Sequence, residues 1–135
     1  MNDPTRTIRV IAFRTPFVAF ETRSWHPPLN VYETDEGLVI VADLAGVNPS
    51  DLQVHVKPTL IVVEGQRQLA PPAGLRRIHR MEIGAGRFNV EVPLSAPIDP
   101  ERSEGHYRNG LLEIILPYAS DPPQRVVVIH IEGGL

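Results

Sequence analysis

The sequence predicts an all-β fold, an immunoglobulin-like β-sandwich with a flexible N-terminal arm and a C-terminal extension. Three observations carry this. Fourteen prolines are spread so evenly that no proline-free window exceeds 20 residues, which excludes long helices, coiled coils and helical bundles. From Pro27 onward, short alternating or fully apolar runs are separated by turn residues, with a rhythm of about 8–12 residues that suits a sandwich. Hydrophobic residues make up 42% of the 135, enough to bury one core, and there is no cysteine to cross-link it. The division this implies is an arm over residues 1–25, a sandwich over 26–117 and an extension over 118–135.

Taken in order, residues 29–32 form a first short strand, and Asp35, Glu36 and Gly37 supply the turn after it. The β-branched run at 38–44 has the length of a buried strand, and the segment from Ala45 to Pro49 ends it. Residues 51–57 alternate strictly, with Leu52, Val54 and Val56 on one face and Gln53, His55 and Lys57 on the other. Pro58 and Thr59 turn the chain into another strand at 60–65. A long excursion at 68–85 contains a further alternating segment at 76–81, and an excursion of that length in a compact domain usually has a function. After Gly86, residues 87–92 alternate again, and Pro93, Pro97 and Pro100 punctuate the linker that follows. Residues 104–108 then meet 111–116 across Asn109-Gly110, the strongest two-residue hairpin signal in the chain.

The two ends differ from this middle. Four of the eight aromatic residues, Phe13, Phe17, Phe20 and Trp25, lie in the first 25 positions. Arg6, Arg9, Arg14 and Arg23 against Asp3 and Glu21 give that stretch a local charge of +2. Pro16 interrupts the amphipathic helix a mitochondrial-type leader would need, so a retained arm is expected. At the other end, the apolar run at 126–131 would template aggregation if left loose, so it docks on its own domain or on another chain. The Asp121-Pro122-Pro123 tether favours an extended reach away from the sandwich.

Motifs for catalysis are missing. Lys57 is the only lysine among 13 basic residues and is followed by Pro58, so a Walker-type phosphate loop is ruled out. The histidines at 26, 55, 79, 106 and 130 have no metal-ligand spacing, and no serine sits in a nucleophile elbow. A net charge of −3 argues against nucleic acid as the main partner, and no stretch approaches the roughly 18 apolar residues of a membrane span. The expectation is a non-enzyme without metal or cofactor, located in the cytoplasm.

Five segments, in order, resemble the small heat-shock proteins, the α-crystallin domain family. The family's "A-D-L-P-G-V" is similar to residues 42–47, with Ala45 at the usual proline, and its "L-x-I-x-G-x-R" to the stretch ending in Gly65-Gln66-Arg67. Its "G-x-F" resembles Gly86-Arg87-Phe88, and its "A-x-x-x-N-G-V-L-x-I-x-L-P" resembles residues 105–117, with Gly105 at the usual alanine. Its terminal "I-x-I" is similar to Ile129-His130-Ile131. Two further departures are Val90 at a common arginine and Ser95 at a closing proline, so the family's interface arginine network is not carried over to Val90.

The resemblance implies an ATP-independent holdase of the stress response that binds partly unfolded client proteins as a dimer-based homo-oligomer. Phe13, Phe17, Phe20 and Trp25 become the expected client contacts, or the contacts buried on assembly. Ile129 and Ile131, pointing the same way in an extended segment, become the oligomerisation tail. The resemblance places the receiving groove between the 51–57 and 103–108 strands, with Val54, Val56 and Tyr107 as walls. The excursion resembles a dimerising loop, with Arg76, Arg77, Ile78, His79, Arg80 and Met81 as a strand exchanged between subunits. The alternative is a CS-domain adaptor, a related sandwich working as a monomer, which explains neither the excursion nor the tail.

Overall fold

The computed structural model describes residues 25–120 and 126–133. They form two antiparallel-dominated sheets. One has the order β1-β2-β7-β6-β9 and the other β5-β4-β3-β8, where the strands are β1 Leu29–Glu33, β2 Gly37–Asp43, β3 Gln53–Lys57, β4 Leu60–Arg67, β5 Gly86–Pro93, β6 Glu104–Arg108, β7 Leu111–Pro117, β8 Val127–Ile129 and β9 Glu132–Gly133. The all-β sandwich expected from the sequence is the fold.

The alternation that reads as strand also sets which side chains face inward. Leu38, Ile40 and Ala42 of β2 pair across the ladder with Leu116, Ile114 and Leu112 of β7, and all six are buried. Val54 and Val56 of β3 face Val63 and Ile61 of β4 in the same way, and Phe88 and Val92 extend the layer from β5. Fully burying each of the larger of these side chains contributes about 1.5–3 kcal/mol, so register is pinned: a one-residue slip would turn a whole row outward. Val90 lies on the same inward side of β5, opposite Val63, and packs against the core.

The turns follow local chemistry. At Asn109-Gly110 both residues have positive φ, 52° and 79°, the primed turn that matches strand twist. Asn48 and Asp99 cap two short 3-10 turns, Pro49–Asp51 and Pro100–Arg102, by accepting from the backbone N–H groups of Ser50 and Glu101. Beyond β7, Tyr118 N–H donates to the Glu36 carbonyl and Ala119 N–H to the Pro97 carbonyl, so the hydrogen-bonded sandwich continues past Pro117.

Candidate functional site

The groove lies between β3 and β6, edge strands of opposite sheets until the tail arrives. β8 adds to β3 antiparallel, with Ile129 opposite Val54 and Val127 opposite Val56. One residue past His130 the chain crosses to the other sheet, where β9 runs parallel to β6, pairing Glu132 with His106 and Gly133 with Tyr107. The tail therefore stitches the two sheets together along one side of the sandwich. Ile129 and Ile131 turn inward against the core, while Val128 and His130 are exposed.

The floor of the groove is Gly105. A Cβ at that position would stand 2.8 Å from Ile131 Cδ1 and 3.1 Å from Ile129 Cδ1, closer than side chains pack. Both isoleucines thus occupy the volume that a larger residue would fill. Val54 and Val56 are fully buried behind the tail. Tyr107 is anchored by its hydroxyl, which donates to the Leu44 carbonyl at 2.6 Å. Val54, Val56 and Tyr107 are the walls expected from the sequence, where Gly105 stands only as a departure from a motif; its missing Cβ is the available signal.

The rim is charged. His106 Nε2 lies 3.1 Å from Glu104 Oε1, its Nδ1 lies 4.0 Å from Glu132 Oε1 of the tail, and Glu113 of β7 stands opposite it in the ladder. Where the chain enters β6, the side-chain hydrogen bond from Arg102 holds the Asp99 carboxyl below its ordinary value, against some desolvation.

The excursion has no strand at 76–81 in the single chain, and all of Arg76, Arg77, Ile78, His79, Arg80 and Met81 are exposed. Its apolar side chains Leu69, Leu75, Ile78, Met81 and Ile83 line a shallow cavity within the loop. On the sandwich, β1 is an edge strand with Val31 and Tyr32 exposed. Glu33, Asp35 and Glu36 cluster at its end. The Tyr118 phenol is pushed up, first by desolvation and then by the charges of Glu33 and Asp35, so the field there is negative.

Trp25 requires a correction. It belongs with the sandwich and not with a separate arm: its N–H donates to the Arg87 carbonyl, its indole Nε1 donates to the Gly86 carbonyl at 3.1 Å, and its ring meets Phe88 edge-on at 5.5 Å. Phe13, Phe17 and Phe20 lie outside the described residues. Arg67, to which no motif in the sequence assigns a role, is buried beneath the same indole. Among the described residues no group of three or more His, Asp or Glu side chains is arranged to hold a metal, and no helix is long and apolar enough to cross a membrane.

Two antiparallel-dominated sheets with an apolar tail laid across their open side define an α-crystallin-type sandwich. Residues 30–132 match the Hsp20/alpha crystallin family, and the chain belongs to it. The chain is 31% identical over 104 residues to the 16.9 kDa class I heat shock protein 3 of Oryza sativa, covering 75% of this chain and 68% of that one. It is 24% identical over 102 residues to small heat shock protein C2 of Rickettsia felis, where it spans 66% of the relative's length. Among solved structures, hspA from Xanthomonas axonopodis superposes with a TM-score of 0.63 at 29% identity, covering 70% of this chain and 94% of that one. Small heat-shock proteins of this family are non-enzymatic.

Proposed function

We propose that the protein is an ATP-independent holdase that binds partly unfolded proteins and prevents their aggregation, working in the cytoplasm as a dimer-based homo-oligomer. Family membership supports the chaperone class, and the fit of Ile129 and Ile131 to the β3–β6 groove, which a single chain fills with its own tail, supports the assembly. Binding unfolded chains in preference to native ones removes them from aggregation by mass action, which needs no nucleotide. Phe13, Phe17 and Phe20 are the proposed client contacts.

The tail is the proposed link between dimers. A tether of seven residues, 120–126, with Pro122 and Pro123 within it, reaches about 20–25 Å when extended, enough to let Ile129 and Ile131 enter a neighbour's groove instead of their own. Each link is modest, and many copies in one assembly make it firm.

The excursion is the proposed dimer contact, and β1 is its receiving edge. With the tail on β3 and β6, the longer strands left as sheet edges among the described residues are β1 and β5, and β1 is the one that ends in an acidic cluster. Arg76, Arg77 and Arg80 on the excursion complement Glu33, Asp35 and Glu36 at the end of β1. A reciprocal exchange would cover one exposed edge on each subunit and close a two-fold dimer.

Light scattering on the full chain tests this. The expected mass is far above the 15.0 kDa of one chain, falling to that of a dimer when Ile129 and Ile131 are both replaced by Ala. A monomer at all concentrations would overturn the proposal. Deleting residues 1–24, which spares Trp25, is expected to weaken suppression of client aggregation at unchanged dimer content; unchanged protection moves the client site to the sandwich.

A further inference from the structure

Arg67 is the last residue of β4 and stands opposite Gly86, the first residue of β5. Everything between them is the excursion, so Arg67 and Gly86 are its two roots. The guanidinium of Arg67 turns back to grip the excursion two residues before the far root: Nε and Nη2 donate to the Gly84 carbonyl at 2.9 and 2.6 Å, and Nη1 donates to the Ala45 carbonyl at 3.0 Å. Arg67 is 9% exposed, and its described hydrogen-bond acceptors are main-chain carbonyls.

The indole of Trp25 covers this grip, with the guanidinium carbon 4.1 Å from the ring centroid. The ring also packs against the loop backbone: a Cβ at Gly84 would meet indole carbons at 2.7 and 2.8 Å, so only glycine admits the contact. Trp25 is at the same time the point where residues 1–24 join the sandwich. One side chain thus closes over the root of the excursion and marks the root of the arm.

We propose that Trp25, Arg67 and Gly84 form a mechanical clasp through which the arm's attachment point and the excursion are coupled. With the indole in place, the planar guanidinium is desolvated and its two-nitrogen grip fixes Gly84. Drawing Trp25 away lets water reach the guanidinium, releases Gly84 and frees the 76–81 segment from its position. The coupling is reciprocal, so displacement of the excursion also loosens Trp25. Trp25 and Arg67 are positioning residues: they act through the segments they hold. That the clasp adjusts the dimer rests on the reading of the excursion as the dimer contact; the clasp itself does not.

The full chain supplies its own probes. Trp25 is the sole tryptophan, and Arg76, Arg77 and Arg80 are trypsin sites on the excursion. Arg67→Lys keeps the charge but loses the fork that holds Gly84, and is expected to red-shift Trp25 emission and raise its quenching by acrylamide. Trp25→Ala is expected to speed cleavage at the excursion by about 5- to 30-fold, with Trp25→Phe, which keeps a ring over the guanidinium, close to wild type. The Trp25→Ala, Arg67→Lys double variant should match the faster single variant; two independent structural roles would multiply instead. Wild-type emission in Arg67→Lys, or wild-type cleavage in Trp25→Ala, overturns the clasp. Should Trp25→Ala fail to fold, the Arg67→Lys emission decides alone. If both variants behave as expected while light scattering shows no change in dimer content, the clasp stands and the dimer reading of the excursion falls.

Discussion

Gly105 and Ile131 share one volume: the δ-methyl of Ile131 lies 2.8 Å from where a Cβ on Gly105 would stand. The groove that takes the tail is deep because β6 has no side chain at its second residue, Gly105, and the depth is what lets Ile129 enter beside Ile131. Replacing Gly105 by Ala should therefore lift both isoleucines, an overpacking cost of about 1–3 kcal/mol charged to the docked tail. The sandwich should keep its melting temperature. Faster trypsin cleavage after Arg125 at unchanged Tm checks this, and a tail as protected as in the wild type would contradict it.

The Tyr107 hydroxyl and the Leu44 carbonyl form a buried bond at 2.6 Å that ties β6 to the end of β2. Tyr107→Phe leaves that carbonyl without its donor, at a cost of about 1–3 kcal/mol. Thermal unfolding is expected to fall by several degrees, while protection of the tail, which rests on Gly105 and Val54, changes little.

At the β6–β7 hairpin, Gly110 has φ 79° and a Cβ there would stand 2.9 Å from Ala45 Cα. Gly110→Ala combines backbone strain with a clash against main chain that cannot swing aside. A loss exceeding about 1 kcal/mol is expected by chemical denaturation. Asn109→Gly, which removes a side chain from a left-handed position without adding one, should stay close to wild type.

Asp99 provides a pH-dependent prediction. Its folded-state pKa is lowered, chiefly by the side-chain hydrogen bond from Arg102, below the ordinary aspartate value of 3.8. The stability it contributes is thus fully present above that value and lost as pH falls through the lower folded value. Asp99→Asn lacks this dependence. The stability difference between wild type and Asp99→Asn should be constant near neutral pH and shrink in the acid limb; a difference that grows on acidification would reverse the assignment.

Several parts of this fold were legible because they depend on neighbours in sequence. Alternation at 51–57 and 87–92 reads directly as strand with one buried face, although the first strand begins only at Gln53 because Pro49–Asp51 form a 3-10 turn, and Asn109-Gly110 reads as a primed turn, since both are set by local backbone and side-chain sterics. The direction of Ile129 and Ile131 follows from the two-residue period of an extended chain. Trp25 was misplaced for an equally local reason. It closes a run of aromatics, and only its meeting with Gly86, 61 positions away, shows that it packs on the sandwich.

The sequence by itself determined the class of fold, the order of strands along the chain, the absence of a phosphate loop and the presence of an apolar tail on a proline tether. Each is a property of short windows, where periodicity and turn chemistry act. Tertiary structure alone decided that Gly105 is the floor under the tail, that Arg67 grips Gly84, and that Trp25 caps that grip. Those roles arise when strands far apart in the chain close onto one another, and the deciding quantity is the few ångströms of space left between them.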